Sequence, residues 1–343
     1  MVLVLAFAGG LWGLGWAFKA PLEARMLMIS LLFVVVIAEH LVLPQGHPVR
    51  LATGGSAGLW IGLGVLGAVV LAYRAVLGRL RARAVPVAVV VPGRLREAEV
   101  ERYARHIMLR EIGGPGQKAL KSCKVLVIGA GGLGSPALMY LGAAGVGVIG
   151  VVDGDVVGAS NLQRQIIHKD QGIGMPKVFS AEAALRALNP FIEVRPYNRR
   201  LGEAEAALIA DYDLILDGSD NFETRYLVNR LCVAAGKPLI SAAITQWEGQ
   251  IGLYDPARGG PCYQCIFPER PAPGLVPTCA EAGVAGPLPG VIGAMMALEA
   301  VKFVTEAGEG LRGRLMIYDG LYADVRVIAV ARRADCPVCG IGH

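Results

Sequence analysis

Four cysteines in two Cys-x-x-Cys pairs are the clearest sign of chemistry in this 343-residue sequence. Cys262 and Cys265 form the first pair, Cys336 and Cys339 form the second, and turn-forming residues flank both. Two such knuckles can supply the four thiolates of a tetrahedral zinc site, whereas a redox dithiol needs only one pair. We therefore predict a closed, structural Zn²⁺ site that fastens the C-terminal part of the chain.

A glycine-rich segment predicts a nucleotide site. Gly129, Gly131 and Gly134 form a Gly-x-Gly-x-x-Gly pattern between a predicted strand and a predicted helix, and the acid Asp153 follows further on. Glycines allow phosphate oxygens to reach the backbone N–H groups at a helix N-terminus, where the helix dipole favours anions. By itself this pattern indicates an adenine nucleotide or a dinucleotide.

The residues after Asp153 favour a triphosphate. Asn161 and Arg164 would share one face of a helical turn, and Lys177 begins a later predicted helix. Two cations directed at one glycine-rich loop would neutralise a triphosphate, whereas the pyrophosphate of a dinucleotide needs little beyond backbone amides. A role as ordinary surface charges is the alternative for Arg164 and Lys177. An NAD-dependent oxidoreductase is a remote alternative, because binding a dinucleotide would require neither cation.

A further set of acids follows a predicted strand at 214–216. Asp217 is expected to cap the turn after this strand, and Asp220, beside Asn221, is expected to hold Mg²⁺ through oxygen ligation. The carboxyl ends of parallel strands meet at one edge of a sheet, so these acids should lie near the glycine-rich loop.

The remaining cysteines and the histidines carry weaker signals. Cys279 lies in a proline-rich loop predicted at 256–289, where it is either a thiol nucleophile or an incidental loop cysteine. Cys123 and Cys232 are predicted to be buried core thiols. The five histidines have no spacing typical of metal ligands, and the sequence assigns them no role.

Alternating strand and helix patterns must position these residues. They predict an α/β fold: a Rossmann-like, mostly parallel sheet with helices on both faces and an antiparallel extension. The predicted strands are 124–128, 148–152, 192–197, 214–216 and 239–243, followed by the antiparallel strands 248–254, 314–318 and 324–330. The predicted helices are 96–110, a helix from the glycine-rich loop to 144, 177–188, 203–210, 223–235 and 291–305.

Three apolar runs precede this pattern, at about 2–18, 26–43 and 57–77. Each approaches the roughly 20 residues that cross a bilayer core. No basic residue precedes the first run, which disfavours a cleaved signal peptide, and a buried hairpin of soluble helices is the other alternative. Because Arg74 lies near the end of the third run and arginines at 79, 81 and 83 follow it, the remainder of the chain should face the cytoplasm. We expect a multi-pass protein of the inner membrane with three spans, or two if the short first run does not cross.

The charge distribution supports this division into a membrane segment at 1–84, a linker at 85–95 and a soluble domain at 96–343. The net charge of +5 lies entirely in the first 84 residues. Basic and acidic residues balance in the rest of the chain. This part of the chain has no excess of basic residues that could bind a nucleic acid, and no nucleic-acid partner is expected.

The sequence from about 95 to 340 resembles the MoeB/ThiF/HesA family of ubiquitin-activating-enzyme-like adenylyltransferases, most closely its molybdopterin-synthase adenylyltransferases. Besides the glycines, Asp153 and the four cysteines, several short segments carry this resemblance. They are Arg102-Tyr-Ala-Arg105-His-Ile, Ser160-Asn-Leu-Gln-Arg-Gln, Pro176-Lys177, Asp217-Gly-Ser-Asp-Asn, Glu248-Gly-Gln and Thr278-Cys279-Ala-Glu-Ala-Gly.

The resemblance implies ATP-dependent adenylation of the C-terminal Gly-Gly carboxylate of a small ubiquitin-like sulfur carrier, with release of pyrophosphate, in molybdopterin cofactor biosynthesis. Activation of the thiamine sulfur carrier, or of a carrier for tRNA modification, is the alternative within the family. No rhodanese domain follows Cys339, so a separate protein is expected to deliver sulfur.

The resemblance also implies roles for individual residues. Gly132 and Asp153 would hold the nucleotide, with Asp153 at the ribose, and Arg105 would enter the neighbouring subunit's site in a homodimer. The residues implied at the phosphates and the Mg²⁺ are Ser160, Asn161, Gln163, Arg164, Lys177, Asp220 and Asn221.

Overall fold

The chain divides into two compact units in this computed structural model, Met1–Val85 and Pro86–His343. The structure describes residues 2–54, 56–83, 94–271 and 282–340. Most of the predicted linker at 85–95 therefore lies outside the described residues, as does Cys279.

The N-terminal unit is helical. Its helices are α1 (Val2–Ala17), α2 (Leu22–Val42), α3 (Pro48–Thr53) and α4 (Ala57–Arg83). By length and composition, α2 and residues 57–77 of α4 could each cross a membrane, and α1 is a shorter apolar helix. The predicted apolar runs thus coincide with helices, although α2 begins at Leu22 instead of residue 26 and α4 continues beyond residue 77.

A small buried cluster of Val4, Val36 and Trp60 joins the helices of this unit. The short helix α3, which the sequence did not predict, is fixed to α2 by a hydrogen bond: the Thr53 hydroxyl donates to Glu39 Oε1 over 2.5 Å. Leu32, Phe33 and Ile37 are partly buried against this cluster, and most other apolar side chains of α2 and of residues 57–77 are exposed. Such surfaces suit a hydrocarbon environment.

The C-terminal unit contains, among its described residues, an eight-stranded sheet of order β3-β2-β1-β4-β5-β6-β7-β8. Strands β1 to β5 are parallel, and β6, β7 and β8 extend the sheet in antiparallel fashion. This confirms the predicted Rossmann-like sheet and its extension. The strands are β1 (Lys124–Ile128), β2 (Val148–Val152), β3 (Glu193–Tyr197), β4 (Leu214–Asp217), β5 (Leu239–Ile244), β6 (Glu248–Tyr254), β7 (Arg314–Asp319) and β8 (Asp324–Ala329).

Helices cover both faces of the parallel part of the sheet. One buried cluster includes Leu141 and Leu185, and the other includes Tyr212 and Leu231. Burial on both faces explains why β1 and β2 are continuous apolar runs. The helices are α5 (Glu97–Arg102), α6 (Ala104–Ile107), α7 (Gly113–Ser122), α8 (Gly134–Ala144), α9 (Lys177–Leu188), α10 (Ala206–Ala210), α11 (Phe222–Ala234), α12 (Tyr263–Ile266) and α13 (Pro287–Thr305).

The predicted helix at 96–110 is only partly correct, because the chain forms two helices that break at Tyr103 and the helical part ends at Ile107. The buried Tyr103 ring lies against Gly145, and its hydroxyl accepts a hydrogen bond from Asn189 Nδ2 over 2.8 Å. Anchoring this side chain separates α5 from α6, a tertiary contact that helical periodicity cannot anticipate.

The predicted loop at 256–289 is also partly wrong. It contains a short 3₁₀ turn at Pro256–Arg258 and the helix α12, and α13 begins at Pro287 rather than residue 291. Prolines fit the first turn of a helix, where no N–H group is needed for an intrahelical hydrogen bond. The predicted helix at 203–210 begins as a 3₁₀ turn and becomes α-helical at Ala206.

Candidate active site

The glycine-rich loop lies at the edge of the crevice where the strand order reverses, between β1 and β4. Gly129 has φ +91°, and a Cβ atom there would approach the Gly218 carbonyl oxygen to 3.0 Å. At Gly134 a Cβ atom would collide with the Gly129 carbonyl at 1.8 Å. Glycine at 129 therefore lets the β1 and β4 loops approach each other, and glycine at 134 lets the glycine-rich loop fold back on itself.

The two consecutive peptide groups that meet at Ala130, inside this loop, are each held by a hydrogen bond. The Ala130 N–H donates to Asp153 Oδ2 over 2.8 Å, and the Ala130 carbonyl oxygen accepts from His168 Nε2 over 2.9 Å. Since Nε2 carries the proton, His168 Nδ1 accepts from the Ser180 hydroxyl at 3.0 Å. Burial lowers the pKa of His168. A neutral imidazole thus orients the loop, a role that the sequence did not reveal.

Asp153 lies at the end of β2, as predicted for the acid that follows a glycine-rich loop. Its other oxygen, Oδ1, accepts from the Asp155 N–H over 2.8 Å. A carboxylate has about four acceptor positions. Asp153 therefore retains the capacity to accept from a ribose hydroxyl, and that role stays a prediction.

The two predicted phosphate-facing cations both lie beside this loop. Arg164 places its Cδ 3.6 Å from a Cβ position on Gly132, and its guanidinium donates to Asn161 Oδ1 over 3.4 Å. Lys177 is only 5% exposed and pairs with Asp155 across 3.1 Å. Asp155 is linked in turn to Asp153. Burial of an ammonium group with one carboxylate partner is costly, which argues against an ordinary surface charge.

The segment after β4 contains two acids, Asp217 and Asp220, in different surroundings. The buried Asp217 accepts from the Ser219 N–H over 3.0 Å and from the Ser241 hydroxyl over 2.9 Å. This confirms that Asp217 caps the turn. Asp220 is exposed and forms no side-chain hydrogen bond or ion pair with any described residue. Asn221 caps helix α11 by accepting from the Thr224 N–H over 2.8 Å.

Two buried polar atoms near the loop lack a partner within the described part of the chain: Ser135 Oγ and Gln165 Oε1. Ser135 is the second residue of α8, and Gln165 Nε2 lies 3.7 Å from a Cβ position on Gly131. Buried polar groups are nearly always hydrogen-bonded. These atoms, the open face of the loop and the adjacent cations fit a polyphosphate nucleotide.

The remaining predicted residues lie in different surroundings. Ser160 and Gln163 are exposed, and the Ser160 carbonyl oxygen accepts from Arg164 Nη1 over 3.2 Å. Gln163 contacts Gly286 at the start of α13. Arg105 is exposed on α6, and the contacts among described residues do not connect it to this site.

The four predicted zinc ligands converge. All four cysteines are buried, and their Sγ atoms lie within 4.8 Å of one another. The closest pairs are Cys265 with Cys339 at 3.4 Å and Cys262 with Cys336 at 3.6 Å. Tetrahedral zinc with Zn–S bonds of about 2.3 Å requires sulfur separations of about 3.8 Å. The geometry therefore fits a closed zinc site.

Nearby N–H groups donate hydrogen bonds to two sulfur atoms of this cluster. The Arg333 N–H donates to Cys265 Sγ over 3.5 Å, and Asn229 Nδ2 donates to Cys262 Sγ over 3.7 Å. In contrast, Cys123 and Cys232 are buried away from the cluster, which confirms them as core thiols. Burial and the nearby Asp213 raise the pKa of Cys123 to about 12.

Fold and site together define a nucleotide-binding α/β protein with a four-cysteine cluster whose geometry fits zinc. Comparison with known proteins gives the family: residues 103–338 match the ThiF family, and the chain belongs to it.

Curated relatives resemble the same part of the chain. A SAMP-activating enzyme E1 of Haloferax volcanii is 47% identical over 249 residues, which cover 72% of this chain and 92% of the relative. A sulfur carrier protein adenylyltransferase of Thermus thermophilus is 48% identical over 252 residues, which cover 72% of this chain and 93% of the relative. A crystal structure of E. coli MccB with ATP matches with a TM-score of 0.61 and 25% identity, covering 70% of this chain and 74% of that one.

Proposed function

We propose that this protein uses ATP to adenylate the C-terminal glycine carboxylate of a small ubiquitin-like sulfur carrier. The main observation in support is the pair of cations, Arg164 and the buried Lys177, near the glycine-rich loop. The relatives named as an E1 and as a sulfur carrier protein adenylyltransferase support the same reaction. An NAD-dependent oxidoreductase has no comparable use for these two cations.

In the proposed reaction, a carboxylate oxygen of the terminal glycine forms a bond to the α-phosphorus of ATP. The bond between that phosphorus and the bridging oxygen breaks, and pyrophosphate leaves with the electron pair. Both partners are anionic, so their approach requires fixed positive charge. Arg164 and Lys177 supply it, while the two fixed peptide groups at Ala130 keep the loop amides directed at the phosphates.

Asp220 is proposed as the Mg²⁺ ligand. Asp220 is exposed and has no partner among the described residues. It lies in the loop after β4, and Gly218 of this loop approaches Gly129 closely. When bound, Mg²⁺ would neutralise phosphate charge during the transfer. The exposed Arg105 is proposed to enter the site of a second subunit in a homodimer.

The resemblance to molybdopterin-synthase adenylyltransferases favours a carrier for molybdopterin synthesis. A thiamine carrier and a tRNA-modification carrier are the competing substrates, which a direct comparison of carriers separates. We propose further that α2 and α4 hold the enzyme in the inner membrane, with residues 86–343 in the cytoplasm.

The test is exchange of labelled pyrophosphate into ATP by the full chain in detergent. Exchange should require Mg²⁺ and a carrier that ends in Gly-Gly, and a carrier without its last glycine is the matched control. The three carrier types are compared at equal concentration. Exchange without any carrier, or tight binding of NAD instead of ATP, would contradict the proposal.

A further inference from the structure

Asp155 is an acid of the nucleotide site to which the proposed reaction assigns no role. Its N–H donates to Asp153 Oδ1 over 2.8 Å, and its Oδ2 accepts a hydrogen bond from Lys177 Nζ over 3.1 Å. Asp153 is predicted to lie at the ribose of ATP, and Lys177 is proposed to lie at the phosphates. Asp155 therefore connects two residues that would bind different parts of one nucleotide.

The backbone holds Asp155 beside Lys177. The Lys177 N–H donates to the Asp155 carbonyl oxygen over 2.9 Å, and the adjacent residues Val156 and Pro176 form an antiparallel bridge. These contacts keep the carboxylate within reach of the ammonium group. A phosphate that binds Lys177 must therefore compete with Asp155 for the same charge.

A second cation, Arg200, approaches Asp155 from the loop after β3. Its Nη2 lies 3.7 Å from Asp155 Oδ1, whereas Lys177 contacts the other oxygen of this carboxylate. The aliphatic stem of Arg200 lies over Gly154, where a Cβ atom would approach Arg200 Cγ to 3.0 Å. The Arg200 side chain is 88% exposed, which leaves the guanidinium group able to move closer to Asp155.

The charges of the site explain why a second cation is useful. When the Lys177 ammonium group turns to a phosphate, Asp155 loses its closest positive partner. Two carboxylates, Asp153 and Asp155, then lie beside a polyphosphate, and like charges a few ångströms apart repel each other. Arg200 can compensate this charge, because it approaches the oxygen of Asp155 that Lys177 does not contact.

We propose that Lys177 and Arg200 exchange partners when ATP binds. The ammonium group of Lys177 moves from Asp155 to the phosphates, and the guanidinium group of Arg200 closes on Asp155. This inference rests on the proposed function. Arg200 thus acts as a positioning residue through Asp155, and it favours nucleotides with charged phosphates while leaving the binding of adenosine unaffected.

The experiment measures equilibrium binding of ATP and of adenosine to the full chain in detergent with Mg²⁺. Arg200→Gln should raise the Kd for ATP about threefold, the effect of one exposed ion pair, and leave the Kd for adenosine unchanged. Arg200→Lys keeps the charge and should recover most of the loss. Arg199→Gln is the matched control, because Arg199 pairs with Glu205 across 2.9 Å, and it should bind ATP like wild type.

A double-mutant cycle with Asp155→Asn tests the exchange of partners itself. Without the carboxylate, Arg200 has no charge to neutralise, so Arg200→Gln should not change the Kd for ATP in the Asp155→Asn background. A threefold loss that persists in this background would show that Arg200 binds the nucleotide directly, and it would overturn the proposal. Equal Kd values for ATP in wild type and Arg200→Gln would also overturn it.

The binding measurements are independent of adenylation, because they need no carrier. The expected coupling between Asp155 and Arg200, without pyrophosphate exchange for any Gly-Gly carrier, would overturn adenylation and support the exchange of partners. Pyrophosphate exchange without this coupling would support adenylation and overturn the exchange of partners. A wild-type chain that does not bind ATP would overturn both.

Discussion

His168 Nε2 donates a hydrogen bond of 2.9 Å to the carbonyl oxygen of Ala130, a residue 38 positions earlier in the chain. Together with the hydrogen bond from the Ala130 N–H to Asp153, this bond fixes two consecutive peptide planes of the glycine-rich loop. Loop amides bind phosphate only when correctly oriented. We therefore expect His168 to act as a positioning residue for ATP.

His168→Leu should raise the ATP KM about tenfold and change kcat less, because the loop amides lose their orientation. His168→Gln keeps an N–H donor and should recover part of the loss. Initial rates with varied ATP measure both constants, and thermal melts show whether each variant is folded. Equal ATP KM values for wild type and His168→Leu would exclude the positioning role.

The buried imidazole should also make stability depend on pH. Its pKa is lowered in the folded state by burial, from an ordinary value of 6.5. Above pH 6.5 the residue is neutral in both states, and its contribution is complete. Below that pH the unfolded chain binds a proton that the folded chain refuses, so stability falls as the pH drops. Melts between pH 5 and 8 should show a smaller acid loss in His168→Gln than in wild type.

Lys177→Gln should lower kcat/KM for ATP by a factor of at least about 100, because a fixed charge at the phosphates is lost. The pair with Asp155 shows that the ammonium group is positioned and buried. Lys169→Gln, at an exposed lysine of the same segment, is the control and should retain near-normal rates. Comparable losses of kcat/KM in both variants would show that the total positive charge of this segment, and not the position of Lys177, determines the rate.

Asp220 and Asp217 should respond differently to substitution. Asp220→Asn should raise the Mg²⁺ concentration needed for exchange and leave the melting temperature unchanged. Asp217→Asn should lower stability by about 1–3 kcal/mol, because buried hydrogen bonds to Ser219 and Ser241 are disrupted. Mg²⁺ titrations and melts separate the effects, and an unaltered Mg²⁺ requirement in Asp220→Asn would remove Asp220 as a ligand.

Zinc analysis should find about one ion per chain. Cys339→Ser should release it and lower the melting temperature, because thiolate ligation contributes to folding. Cys232→Ser is the control, since this buried thiol lies outside the cluster and should leave the zinc content unchanged. Full zinc occupancy in Cys339→Ser would contradict the four-cysteine site.

The full chain should sediment with membranes and resist a carbonate wash, whereas residues 86–343 alone should not. Protease added to intact spheroplasts should spare the C-terminal unit, because the arginines after the third apolar run favour the cytoplasmic side. Cleavage of this unit from outside would reverse the topology, and a soluble full-length protein would remove the membrane assignment.

The sequence alone determined the parallel strands, the zinc-type cysteines and the glycine-rich loop. These features depend on residues close together in the chain: a short apolar run between helical patterns predicts a buried strand, the two cysteines of each pair are three positions apart, and a turn that a Cβ atom would block must be glycine. The apolar helices α2 and α4 were predictable for the same reason.

The tertiary structure decided what depends on contacts between distant residues. α13 has the length and composition of a membrane span, yet 44% of it is buried in the C-terminal unit, against 11% for the corresponding part of α2. Hydropathy cannot separate these cases, because it does not register which surface covers a helix. The break at Tyr103 and the role of His168 likewise arise from packing partners far away in sequence, which only the folded chain brings into contact.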